Sequence, residues 1–175
     1  ARIERGVEAA DNERVRVDEL LSHCAATACR RYQLPRETVR IDSPEIEVSS
    51  PLIHLEILFR NLSDNAEKYG GRPPRVVVLA QPTDDGKVFV SISDNGPGIP
   101  VAQRRKVFGR FVRLGNELER STPGTGLGLY LVRNVTKAIG GTIRVHDLAD
   151  RPGTEFQVTI PGLSSQPAPA SSSPV

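Results

Sequence analysis

Residues 87–98 read Lys87-Val88-Phe89-Val90-Ser91-Ile92-Ser93-Asp94-Asn95-Gly96-Pro97-Gly98. The stretch Lys87 to Ser93 is strongly β-branched and predicts a strand. Asp94 to Pro100 then forms a Gly/Pro loop. Upstream, Arg75 to Gln81 is equally β-branched, and Asp84-Asp85-Gly86 between the two predicts a hairpin. A second hairpin is predicted from Thr142 to Asp147 and Glu155 to Ile160, over Arg151-Pro152-Gly153. Three helices complete the pattern. In Asp18 to Tyr32, Leu20, Leu21, Cys24, Ala25 and Ala28 share one face. The second starts at Ser50-Pro51, with Ser50 as cap and Pro51 in the first turn, and runs to about Tyr69 before Gly70-Gly71. The third covers Leu127 to Ile139 and stops at Gly140-Gly141. Val39 to Ile41 and Ile46 to Val48 are short strands around a Pro-containing turn. The order predicts an α+β fold, a two-layer sandwich whose mixed, mostly antiparallel sheet carries helices on one face.

The 175 residues suit one globular domain with tails. At 38% hydrophobic and 25% charged, the chain is predicted to be soluble and folded. No stretch approaches the ~18 apolar residues of a membrane helix. Ala1 to Arg16 is charged and lacks the apolar segment of a signal peptide. Met is absent, and the simplest expectation is a piece of a longer protein. Residues 1–13 are expected to be a linker or the end of a preceding helical domain, 14–161 the folded domain, and 162–175 a disordered tail rich in Pro, Ser and Ala. Cys24 and Cys29 point apart on a helix and suggest neither disulfide nor metal site. His23, His54 and His146 form no ligand spacing. The expected compartment is reducing and cytoplasmic. A net charge of +2 does not imply nucleic-acid or membrane binding.

Three motifs carry chemistry. On the second helix, Asn61, Asn65 and Lys68 share a narrow stripe beside the apolar Leu55, Leu58, Leu62 and Ala66. An amide oxygen is a hard ligand suited to Mg²⁺, and an ammonium reaches phosphate oxygens. Alone, the stripe reads first as an ordinary polar helix edge. Asp94-Asn95-Gly96-Pro97-Gly98-Ile99 follows a strand but leads into a long basic segment, unlike a simple hairpin turn. A carboxylate fixed at a strand end can accept from an exocyclic amine such as that of adenine, and the glycines admit a flat ring. Gly124-Thr125-Gly126-Leu127-Gly128-Leu129 opens a helix, where successive N–H groups bind phosphates. Asp147, about 20 residues on, mimics a dinucleotide fingerprint. However, the glycines follow G-x-G-x-G, and Glu119 to Pro123 is no strand. Between the loops, Arg104 to Arg113 places basic residues around Phe108 and Phe111. This suggests a mobile lid anchored by the phenylalanines, with arginines available to phosphates.

In this order, the motifs resemble the ATP-binding domain of histidine kinases, in the gyrase, chaperone, kinase and mismatch-repair ATPase superfamily with its Bergerat fold. The resemblance covers roughly Val15 to Pro161 and implies ATP and Mg²⁺ as ligands, with a mobile ATP lid. Its N-box matches Asn61 to Tyr69: Asn65 would hold Mg²⁺, Lys68 a phosphate, Tyr69 would pack near adenine, and Asn61 would sit beside metal and phosphates. Its G1 box matches Asp94 to Gly98, with Asp94 reading the adenine amine and Gly96, Gly98 and Ile99 at the nucleotide. Its F-box matches Phe108 and Phe111. Its G2 box matches Gly124, Thr125, Gly126, Leu127 and Gly128, with Leu129 following, and closes over the phosphates. Arg110 and Arg113 match the lid's basic residues more loosely. Hydrolytic members resemble one another in a glutamate where this chain has Asn61, an amide that cannot act as a base. That implies a kinase transferring the γ-phosphoryl to a histidine, with Asn61, Asn65, Lys68, Arg110 and Arg113 as the catalytic set. His23 precedes Cys24, His54 precedes Leu55, and His146 lies in a predicted strand, so none matches the family's acceptor setting. The acceptor is expected on a separate dimerisation domain of the parent protein, with a response regulator downstream. The chain itself is expected to be monomeric. Two alternatives stay open: a serine kinase or ATPase of the superfamily, and a binding module without kinase activity.

Overall fold

The computed structural model describes residues 11–112 and 125–163. Arg113, Gly124, most of the expected lid and the tail from residue 164 lie outside the described residues, as do residues 1–10.

Strand β1 (Glu13–Arg16) runs directly into helix α1 (Val17–Arg31). Strands β2 (Val39–Asp42) and β3 (Glu47–Ser50) precede helix α2 (Leu52–Tyr69). Strands β4 (Val76–Pro82) and β5 (Lys87–Asp94) form the first hairpin. Short 3₁₀ turns follow at Val101–Gln103 and Lys106–Phe108. Helix α3 (Gly128–Ala138) then leads to the second hairpin, β6 (Thr142–Asp147) and β7 (Thr154–Pro161).

Five strands make one sheet in the order β2-β4-β5-β7-β6. The β2–β4 pair is parallel and the other pairs are antiparallel. A parallel pair needs a crossover, and α2 lies within it. Alternation along the strands builds the core face. Val78, Ile92, Phe156 and Val145 are in register across four strands, and all are buried. Helix α2 covers this face with Leu55, Leu58, Phe59 and Leu62, each fully buried. Every such side chain contributes about 1.5–3 kcal/mol through removal from water.

The predicted helices and hairpins are present, with ends shifted by one or two residues. Three details differ. Glu13–Arg16 is a strand, paired antiparallel with β3 so that buried Val15 faces buried Val48. β2 and β3 belong to different sheets. Ser50 does not cap α2: it ends β3, its Oγ is buried without a hydrogen-bond partner among the described residues, and Pro51 stands at the N-cap. Strand pairing decides the backbone there before the helix starts.

The start of α1 is pinned by charge. Arg16 donates to both oxygens of Asp18 at 3.0 and 2.7 Å, and Asp18 Oδ1 also accepts from the Ile46 N–H at 3.2 Å. The Arg16 guanidinium beside it holds the Asp18 carboxyl at about 2. Cys24 and Cys29 are free and buried, and burial pushes their thiols up to about 12 and about 11. Thiols held so far from ionisation are poor nucleophiles.

Candidate functional site

The last half of α2 is the floor from which the site is built. Asn61, Asn65 and Lys68 are half-buried along it, as 3.6-residue periodicity dictates. Asn61 Nδ2 donates to the Ile57 carbonyl at 2.7 Å. Its Oδ1 faces the start of α3, where a β-carbon added to Gly128 would fall 2.9 Å away. Lys68 Nζ lies 4.9 Å from the ring centroid of Tyr69, which is 48% exposed. Tyr69 in turn meets the loop after β5: a β-carbon on Gly96 would fall 2.2 Å from the Tyr69 carbonyl oxygen. One helix thus touches both glycine loops. Its two contact points, eight residues apart, are about 12 Å from each other along the axis.

Asp94 ends β5 and is only 4% exposed. Its Oδ1 accepts from the Gly96 N–H at 2.8 Å. Burial pushes its carboxyl up to about 6, against hydrogen bonds from the Gly96 and Thr154 backbone that favour the anion. A buried carboxylate with one oxygen fixed by its own loop is an acceptor of defined direction. Gly98 takes the left-handed conformation at φ +81°. The Ile99 carbonyl accepts from Arg104 Nε at 3.0 Å, and Ile99 packs partly buried against the core.

Asp147 is engaged elsewhere than a dinucleotide fingerprint would need. Its Oδ1 lies 2.5 Å from an Arg104 guanidinium nitrogen. No parallel strand pair flanks α3 among the described residues, so this is not a βαβ unit.

Between the loops, the two phenylalanines part ways. Phe108 is buried and meets Phe156 edge to face, with centroids 6.3 Å apart. Phe111, expected as a second anchor, is 71% exposed and has φ 59°. Its backbone, rather than its ring, makes the contact. A β-carbon on Gly126, itself at φ +68°, would lie 2.8 Å from the Phe111 carbonyl carbon. Arg110 donates to the Tyr130 hydroxyl at 2.5 Å and stacks 4.7 Å from that ring's centroid. Thr125 is exposed, Leu127 is the N-cap of α3, and Gly128 is its first residue. Leu129 packs partly buried against the core. Three residues with clear positions around the site were not among the sequence candidates: Asn95, Arg104 and Tyr130. The partners that fix them across the fold, Gly71, Pro73 and Arg75 for Asn95, Asp147 for Arg104 and Arg110 for Tyr130, are distant in sequence, and spacing alone gives no signal for them.

Residues 51–163 match the family model described as histidine kinase-, DNA gyrase B-, and HSP90-like ATPase. The signal transduction histidine-protein kinase/phosphatase MprB of Mycobacterium sp. (strain KMS) is 42% identical over 118 residues. That alignment takes in 66% of this chain and 22% of the relative, so the chain spans about a fifth of the length of the curated relatives it matches. Among solved structures, a mycobacterial sensor histidine kinase MprB superimposes with a TM-score of 0.73 at 32% identity, over 87% of this chain and 98% of that one. The ATP-binding domain of PrrB from Mycobacterium tuberculosis gives 0.68 at 28% identity, over 87% and 98%. The family model covers more than half of the chain and coincides with the α2 stripe, both glycine loops and the second hairpin. The chain belongs to the histidine kinase-, DNA gyrase B- and HSP90-like ATPase family, with the fold of a sensor histidine kinase ATP-binding domain.

Proposed function

We propose that this domain holds ATP with Mg²⁺ between its two glycine loops and presents the γ-phosphoryl to a histidine on a separate acceptor domain of its parent protein. The carrying observation is the buried Asp94 carboxylate, fixed by Gly96, whose backbone packs on the end of the helix that bears Asn61, Asn65 and Lys68. The residues present fit the ligands. Gly96 leaves no room for a β-carbon, so its backbone packs directly on the Tyr69 carbonyl and holds the Asp94 loop at the end of α2. Asn65 offers a hard amide oxygen, and Mg²⁺ takes one or two protein ligands beside phosphates and waters.

In this account Asp94 accepts from the exocyclic amine of adenine. Gly96, Gly98 and Ile99 line the ring, with Tyr69 at its edge. Asn65 would hold the metal, which supplies charge neutralisation across the phosphates. Lys68 and the start of α3 at Gly128 add positive charge, and Arg110 joins them from the lid. Asn61 keeps its amide tied to Ile57 and is no base for water, which favours transfer over hydrolysis. The protein's contribution is positioning and electrostatics.

The acceptor is supplied in trans. His54 is buried with neither ring nitrogen hydrogen-bonded among the described residues, and His146 lies in β6. The response regulator downstream and a cytoplasmic setting belong to the same proposal. Among the described residues, no helix is long and apolar enough to cross a membrane. The test is incubation with γ-labelled ATP, with and without an acceptor domain from a sensor kinase. Acid-labile label on the acceptor alone is expected. Label on this chain alone, or acid-stable label on serine, would contradict the assignment.

A further inference from the structure

The side chain between Asp94 and Gly96 reaches away from its own loop. Asn95 Oδ1 accepts from the Gly71 N–H at 3.0 Å and from the Arg75 N–H at 2.7 Å. Its Nδ2 donates to the Pro73 carbonyl at 3.0 Å. Its backbone N–H donates to the Arg75 carbonyl at 3.2 Å. An Asx turn would bond within two residues of itself. Here the partners lie 20 to 24 residues upstream, in the segment joining α2 to β4. Packing is equally close: a β-carbon on Gly71 would fall 2.6 Å from the Asn95 carbonyl oxygen and 2.8 Å from Nδ2.

We propose that Asn95 is a specificity-determining positioning residue, which clamps the Asp94 loop to the end of α2 and thereby sets how strongly the site prefers a 6-amino purine over a 6-oxo purine. This rests on Asp94 as the acceptor of the exocyclic amine. An anionic acceptor rewards an amine and repels a carbonyl only while it cannot move. If the loop shifts, water enters between carboxylate and ring and the distinction fades. Asn95 satisfies three backbone groups of the facing segment with one amide, so its removal frees the loop without touching a nucleotide.

The experiment measures dissociation constants for ATP and GTP with Mg²⁺ on the intact chain, for wild type, Asn95→Ala, Gly71→Ala and Asp94→Asn. Gly71→Ala disturbs the same clamp from the other side and serves if Asn95→Ala fails to fold. The ATP-to-GTP preference is expected to fall about tenfold in either clamp variant, mainly through weaker ATP binding. A purely structural role lowers the melting temperature and leaves the preference unchanged; that outcome in both folded variants overturns the proposal. If Asp94→Asn binds ATP as wild type does, the assignment of Asp94 fails first, and the role of Asn95 with it.

Discussion

At the scale of single residues, Asp94 concentrates the proposed chemistry. Its place at the end of β5 removes the carboxyl from water, and burial pushes it up to about 6. The folded value lies above the ordinary one, so the fold itself is favoured by the protonated form. That contribution is full below about pH 4 and is lost as pH rises through about 6. On the proposed role of Asp94, nucleotide binding has the opposite sign, because the amine needs the anion. ATP affinity is therefore expected to be full above pH 6 and to fall about tenfold per pH unit below it. Titrations at pH 5, 6 and 7.5 check this, and a flat profile would show that the anion is not the acceptor. Nearby residues show why the glycines are where they are. Gly96 is required by contact with Tyr69 and Gly126 by a positive φ against Phe111, two different reasons within motifs that look alike in sequence.

At the scale of elements, α2 does two jobs on two faces. One face carries Asn61, Asn65 and Lys68, and the other meets α1 and the sheet. On the inner side Glu67 is 4% exposed, and neither carboxylate oxygen has a hydrogen-bond partner among the described residues. Burial pushes it up to about 7; the Cys29 thiol pulls it down and the Asp64 carboxylate pushes it up by less. The raised value means that Glu67 supports the fold while protonated. Its contribution is complete below about pH 4.5 and fades as pH rises through 7. Glu67→Gln, neutral and of the same shape, is expected to stabilise the domain at pH 8 by roughly 1–3 kcal/mol and to flatten its stability between pH 5 and 8. Urea unfolding at both pH values measures this; a less stable variant at pH 8 would mean that the carboxylate has a partner. The described residues flanking 113–124 form a second two-sided element. Arg110 rests on Tyr130 and the Phe111 backbone rests on Gly126, so residues on either side of 113–124 touch.

At the scale of the whole molecule, local pattern and long-range pairing divided the information. Lys87 to Ser93 and its neighbours read correctly as hairpins because β-branched runs and turn residues are local signals. The α2 stripe read correctly because a helical period needs no partner. Strand β1 was illegible: Glu13-Arg14-Val15-Arg16 has one apolar residue, and its pairing with β3 is decided more than 30 residues away. Ser50 looked like a cap because the β1–β3 ribbon that claims it is invisible locally. Phe111 looked like an anchor because composition does not reveal a positive φ. Asn95 sat inside a quoted motif, yet its three partners exist only once β4 and β5 are in register. The central claim, a nucleotide site organised by Asp94 over the α2 stripe, is most directly tested by calorimetric titration of the chain with a non-hydrolysable ATP analogue, with and without Mg²⁺, for wild type, Asp94→Asn and Asn65→Ala. Loss of one charge-assisted hydrogen bond of ~1.5–3 kcal/mol predicts roughly 10- to 150-fold weaker binding by Asp94→Asn. Asn65→Ala is predicted to lose mainly the Mg²⁺ dependence. No binding by wild type at millimolar nucleotide, or unchanged binding by Asp94→Asn, would contradict the account.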